Sequence, residues 1–192
     1  MFIKDWKKEV FTIPNMLSLF RLALIPVYII IYLNASEPHD YYLAGGILAV
    51  SCLTDLIDGK IARHFNMISN LGKVLDPIAD KFTQLALTIC LSVRYPVLRS
   101  VLVLFLVKEF YQGIVGLIHL RKGQMLPGAL MAGKICTTVL FVSLTLLVLM
   151  PNLSEKIVTG IAIADTVCLI YSFIMYTLAY FGKNAKVQDI ED

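Results

Sequence analysis

Charge is what this sequence has least of. Asp, Glu, Lys and Arg make up 16% of the 192 residues, against 58% hydrophobic. A soluble domain of that length has no interior large enough to hide so much apolar surface. The formal net charge is only +3 and no long basic run occurs, which excludes a nucleic-acid partner. Cys52, Cys90, Cys136 and Cys168 are far apart, each inside an apolar stretch, with no CxxC or Cys/His spacing. That excludes a zinc site and a disulfide framework and leaves four small packing residues. The opening MFIKDWKKEVF lacks the unbroken apolar core of a cleaved signal. It reads as a short amphipathic interfacial helix, anchored by Phe2, Trp6 and Phe11 on an anionic membrane surface.

What is present in quantity is long apolar runs. About 20 residues of helix cross a bilayer, and stretches of that size fall at 13–33, 42–63, 73–93, 96–120, 127–150 and 157–182. Breakers separate them: NASEPHD at 34–40, RKGQMLP at 121–127 and PNLSEK at 151–156. Helix satisfies its own backbone in lipid, and the alternation of barrel strands is missing. The fold class is therefore all-α integral membrane, a six-transmembrane helix bundle. With no linker and no repeat, residues 1–192 read as a single domain. Basic residues set the orientation. Lys4, Lys7, Lys8, Lys60, Arg63, Lys73, Arg121, Lys122, Lys183 and Lys186 fall on one side, and Arg94, Arg99 and Lys156 on the other. Both termini and the 60–73 connection are thus expected in the cytoplasm, with the protein multi-pass in the cell (inner, cytoplasmic) membrane. The N-x-S tripeptides at Asn34 and Asn152 carry no function in this reading.

Charges at membrane depth are costly and need a partner or a role. They concentrate in SCLTDLIDGKIARHFNMISNLGKVLDPIADKF, residues 51–82. Asp55 and Asp58, three apart, share a helix face, as do Asp76 and Asp80, four apart. The short connection makes the two helices antiparallel neighbours, so all four carboxylates converge at the cytoplasmic boundary. Such a cluster repels itself unless cations lie within it. Oxygen-only ligands suit Mg²⁺ or Mn²⁺, and two such ions would clamp a pyrophosphate. Gly59 and Gly72, beside the carboxylates, are read as giving a bulky ligand access to the backbone.

The spacing Asp55-x2-Asp58-Gly59-x2-Ala62-Arg63-x8-Gly72-x3-Asp76-x3-Asp80 resembles the signature of the CDP-alcohol phosphotransferase family at every fixed position. The opening IPNMLSLFRLALIPV, with Pro14, Asn15, Ser18 and Arg21, and LGKVLDPIADK at 71–81 are similar to its bacterial phosphatidylglycerophosphate synthase branch. The resemblance implies that Asp55, Asp58, Asp76 and Asp80 hold two divalent ions and that Asp80 is the general base. It further implies that Asn15, Arg21, Gly59, Ala62, Arg63 and Gly72 bind the CDP-lipid. An alcohol oxygen would then attack the lipid-side phosphorus of CDP-diacylglycerol and expel CMP. A homodimer is common in the family.

The acceptor is read from weaker signals. In that branch an Arg-Glu pair, a second arginine and a Gly-Lys-x-Lys-Thr face the acceptor. Here Lys108-Glu109, Gly116 and Gly133-Lys134-Ile135-Cys136-Thr137 stand at those places. Lys108, Arg121 and Lys134 are the acceptor-binding candidates. Adjacent helix residues point apart, so Lys108 is expected to face acceptor rather than Glu109. Glycerol 3-phosphate is the favoured acceptor. Phosphatidylglycerol, whose diester needs fewer cations, is the alternative, which would make the activity that of a cardiolipin synthase. A small ion-coupled transporter is the reading from another class. Asp165, deep in the last apolar run, is the residue that favours it.

Overall fold

A computed structural model describes residues 12–64, 70–125, 130–181 and 188–189, with some side chains among them left out. The interfacial segment expected at residues 1–11 lies outside this set. Six long helices follow in chain order: α1 Ile13–Leu33, α2 Pro38–His64, α3 Asn70–Arg94, α4 Leu98–Arg121, α5 Met131–Leu149 and α6 Glu155–Phe181. Each expected run corresponds to one of them, with ends shifted by a few residues. A two-residue antiparallel pair, β1 Gln124–Met125 with β2 Gln188–Asp189, is a small addition to the expected all-helical chain. Helices α1, α4, α5 and α6 are long and apolar enough to cross a membrane. Helices α2 and α3, of 27 and 25 residues, have the length but carry the charged cluster.

Contacts divide the chain into two units, residues 1–90 with 148–151, and residues 91–147 with 152–192. In the first, α1 packs along α2. Pro14 sits in the first turn of α1, where its missing N–H costs nothing. The buried face of α1 carries Pro14, Asn15, Ser18, Arg21, Tyr28 and Tyr32. Its exposed face carries Ile13, Met16, Phe20, Val27 and Ile30. Polar residues inside and large apolar residues outside is the reverse of a soluble helix and the pattern of a helix facing lipid. The turn into α2 is fixed by Asp40, whose Oδ2 accepts the backbone N–H groups of Ser36 at 2.9 Å and Glu37 at 3.0 Å. Pro38 starts the helix, so this is the acidic half of a capping box. The Glu37 N–H first, then that of Ser36, holds the Asp40 carboxyl below its ordinary pKa.

In the second unit, α4 packs on α6 and is capped by Lys122. Gly123 follows with φ +72°, the left-handed turn that a side chain disfavours, and directs the chain into β1. Helices α5 and α6 approach closely at Gly133, where an added Cβ would lie 2.5 Å from the Tyr176 hydroxyl. Farther along, the Ser143 hydroxyl lies 2.8 Å from each oxygen of buried Asp165. That one proton, for which the Leu140 carbonyl at 3.0 Å also competes, ties α5 to α6. Ser143→Ala should therefore lower stability by about 0.6–1.7 kcal/mol, the range of interhelical hydrogen bonds in membranes. Thermal unfolding in detergent measures it, and an unchanged midpoint would show the contact to be dispensable. The four cysteines are free.

Candidate active site

The first unit gathers the site. Asp55 comes from α2, Asp76 and Asp80 from α3, and α1 presents Asn15, Ser18 and Arg21 on one buried stripe at intervals of three. Arg21 is 2% exposed. Its Nη1 donates to Asp80 Oδ1 at 2.7 Å and pairs also with Asp55 Oδ1. One turn earlier the Ser18 hydroxyl, fully buried, contacts Asp76 Oδ1 and lies 3.1 Å from the Pro14 carbonyl. Carboxylates from both signature helices thus meet on the first helix. Asp55 and Asp80 keep about half their side-chain surface open, at 45% and 52%, so the cluster is anchored on one side and accessible on the other.

Antiparallel neighbours and helical spacing predicted that Asp55, Asp58, Asp76 and Asp80 converge; of these, Asp55 and Asp80 share Arg21 and Asp76 rests on Ser18. Asp58, Gly59, Ala62 and Arg63 lie on α2, but their side chains are outside the described set. Gly72 is buried near the start of α3. Arg21, expected among the CDP-lipid residues, bridges two aspartates in this structure. Ser18 belongs to the α1 motif, but sequence reasoning did not place it at the site. Its signal was the spacing Asn15, Ser18, Arg21, a polar stripe on an otherwise apolar helix.

The acceptor candidates lie in the second unit. Lys108 is buried, and its Nζ pairs with Glu109 Oε1 at 2.6 Å. This corrects the expectation that the two neighbours point apart: Cα–Cβ directions diverge, but a four-carbon lysine stem folds back over that distance, and burial leaves the ammonium no solvent alternative. Lys134 and Arg121 are exposed.

Among the described residues, no three His, Cys, Asp or Glu side chains are gathered closely enough to hold a metal. The donor set nevertheless fits one. Its atoms are carboxylate oxygens, and Arg21 Nη1 places positive charge between Asp55 and Asp80, where a hard divalent cation would be held.

A family model for CDP-alcohol phosphatidyltransferases matches residues 11–177. The chain belongs to the CDP-alcohol phosphatidyltransferase family, and it is an enzyme of that class. It is 32% identical over 191 residues to a CDP-diacylglycerol–glycerol-3-phosphate 3-phosphatidyltransferase of Bacillus subtilis, covering 91% of this chain and 95% of the relative. A cardiolipin synthase (CMP-forming) of Streptomyces coelicolor is 36% identical over 144 residues, 73% of this chain and 66% of its own. A probable phosphatidylglycerophosphate synthase of Mycobacterium tuberculosis is 32% identical over 145 residues, 74% and 68% of the two chains. Family membership brings a CDP-alcohol substrate, an alcohol acceptor and a general dependence on divalent metal. With four helices among the described residues long and apolar enough to cross a bilayer, this is a membrane protein.

Proposed function

We propose that this enzyme transfers the phosphatidyl group of CDP-diacylglycerol to glycerol 3-phosphate, releasing CMP, as a step in phospholipid biosynthesis. The observation that carries the reading is the meeting of Asp55, Asp76 and Asp80 on Ser18 and Arg21, in a chain whose Bacillus subtilis relative bears that activity in its name over nearly its full length. Asp55, Asp58, Asp76 and Asp80 would hold two Mg²⁺ or Mn²⁺ ions. When bound, such ions neutralise the charge on the departing phosphate. Asp80, open to the site, takes the proton of the acceptor hydroxyl. The freed oxygen forms a bond to the lipid-side phosphorus while the bond from that phosphorus to the CMP oxygen breaks. Asn15, Gly59, Ala62, Arg63 and Gly72 are assigned to the CDP-lipid, joined by Arg21 once it leaves the carboxylates.

The six helices are read as six spans of one catalytic domain, residues 1–192, preceded by the interfacial segment. Both termini and the site face the cytoplasm, on the bias of basic residues. The working form is read as a homodimer by family likeness. The transporter reading loses its support, since Asp165 is engaged by Ser143 within the helix packing. Purified protein incubated with CDP-diacylglycerol and glycerol 3-phosphate should release CMP. Release with phosphatidylglycerol alone would overturn the acceptor and make the enzyme a cardiolipin synthase. That second reading is favoured by Gly116 in place of a cation and by the engagement of Lys108 with Glu109.

Lys134 is the exposed cation of the acceptor set on α5. A charge-assisted contact to phosphate is worth about 1.5–3 kcal/mol, so Lys134→Ala should raise KM for glycerol 3-phosphate roughly tenfold to a hundredfold. KM for CDP-diacylglycerol should change far less. Equal effects on both substrates would remove Lys134 from the acceptor site.

A further inference from the structure

We propose that Arg21 is a built-in counter-cation of the carboxylate cluster, whose guanidinium occupies the place of a divalent ion and exchanges with it on metal binding. The inference rests on the reading that these aspartates bind metal. It goes beyond it by making metal entry a displacement rather than the filling of a gap.

The geometry is specific. A single nitrogen, Nη1, serves one oxygen from α2 (Asp55) and one from α3 (Asp80), and these come from the two acidic pairs of the signature. Asp55 and Asp80 would be the residues to hold an ion in its stead. Arginine stays charged at every physiological pH, so the carboxylates are never left facing each other without compensation. The helix that carries it holds it in place: Arg21 is 2% exposed, and it stands three residues from Ser18 on the same face.

Ser18 provides the second half of the exchange. Its hydroxyl has one proton and two acceptors, Asp76 Oδ1 and the Pro14 carbonyl at 3.1 Å. When Asp76 turns to an ion, the proton can pass wholly to Pro14, and no buried donor is left unsatisfied. The Ser18 contact with Asp76 can therefore be given up without leaving an orphaned hydroxyl in the helix.

Mn²⁺ binding to the full-length protein in detergent, followed by loss of the free-ion electron paramagnetic resonance signal, tests this without turnover. Arg21→Met keeps the apolar stem and removes the competing charge. It should bind Mn²⁺ at least about tenfold more tightly than wild type, because a positive charge a few ångströms from the ion is gone. Arg21→Lys, with a single ammonium in place of the fork, should fall between them. Without ion, Arg21→Met should melt at a lower temperature than wild type, and Mn²⁺ should raise its midpoint more. Mn²⁺ bound by Arg21→Met equally or more weakly overturns the exchange and leaves the metal reading standing. A variant that unfolds without ion and is not recovered by Mn²⁺ also overturns it. No Mn²⁺ binding by wild type or either variant removes the metal reading itself, and the exchange with it.

Discussion

Asp80→Asn should cut turnover by about 10²–10⁴, the usual cost of losing a positioned base, while CDP-diacylglycerol still binds. The substitution isolates chemistry from architecture. Asn has nearly the shape of Asp, and its amide oxygen can still accept from Arg21 Nη1, so the bridge from α1 to α3 survives. What it cannot do is take a proton. Asp55, Asp58 and Asp76 remain to hold the donor's ions in the proposed scheme. The measurement is CMP release under saturating substrates, beside equilibrium binding of CDP-lipid. A variant keeping more than half of wild-type turnover would show that Asp80 is not the base. Loss of lipid binding together with turnover would make it a ligand first and a base second.

Much of this was legible in the sequence because membrane helices leave few alternatives. Each apolar run had to be a helix, and the polar joints could only be turns, so the six helices appear where the runs stand. The ends moved where capping decided them. The second helix starts at Pro38 rather than 42 because Pro38 opens it and Asp40 caps its entry, which hydropathy does not register. The shared face of Asp76 and Asp80, both of which meet α1, was legible for a similar reason: a spacing of four fixes a helix face, whatever the partner.

Partners of long side chains were not legible. Arg21 could have been assigned to donor phosphate or to carboxylate on sequence alone, since both are anions at the same end of the same helix. Only the packing of α1 on α2 brings its guanidinium to Asp55. Lys108 shows the same weakness from the other direction. Cβ directions separate it from Glu109, yet four methylenes cancel that separation. Rules about helix faces hold for short side chains such as Asp and fail for Lys and Arg.

Chelation should have an effect as large as loss of the base. Excess EDTA is expected to abolish CMP release, with Mg²⁺ or Mn²⁺ restoring it and Zn²⁺ not. The expectation follows from the donor atoms. Asp55, Asp76 and Asp80 offer only carboxylate oxygens, Ser18 adds a hydroxyl, and no histidine or cysteine has a place among them in the sequence signature. Hard oxygen ligands in an open cluster suit ions that keep several waters and bind phosphate, whereas zinc favours nitrogen and sulfur in a closed tetrahedron. The electrostatics point the same way. A CDP-lipid brings two negatively charged phosphates to a site that already contains several carboxylates, and Arg21 supplies a single positive charge against them. At an effective dielectric of about 20, two unit charges about 4 Å apart interact by roughly 4 kcal/mol, so donor binding without further cations would be opposed several times over. Removing the ions should therefore weaken CDP-diacylglycerol binding as well as stop the reaction, and titrating Mn²⁺ back should recover both over one concentration range. Undiminished turnover in excess chelator would sink the metal reading. Recovery of lipid binding by Arg21 alone, with no ion present, would mean that the chain neutralises its donor from its own side chains.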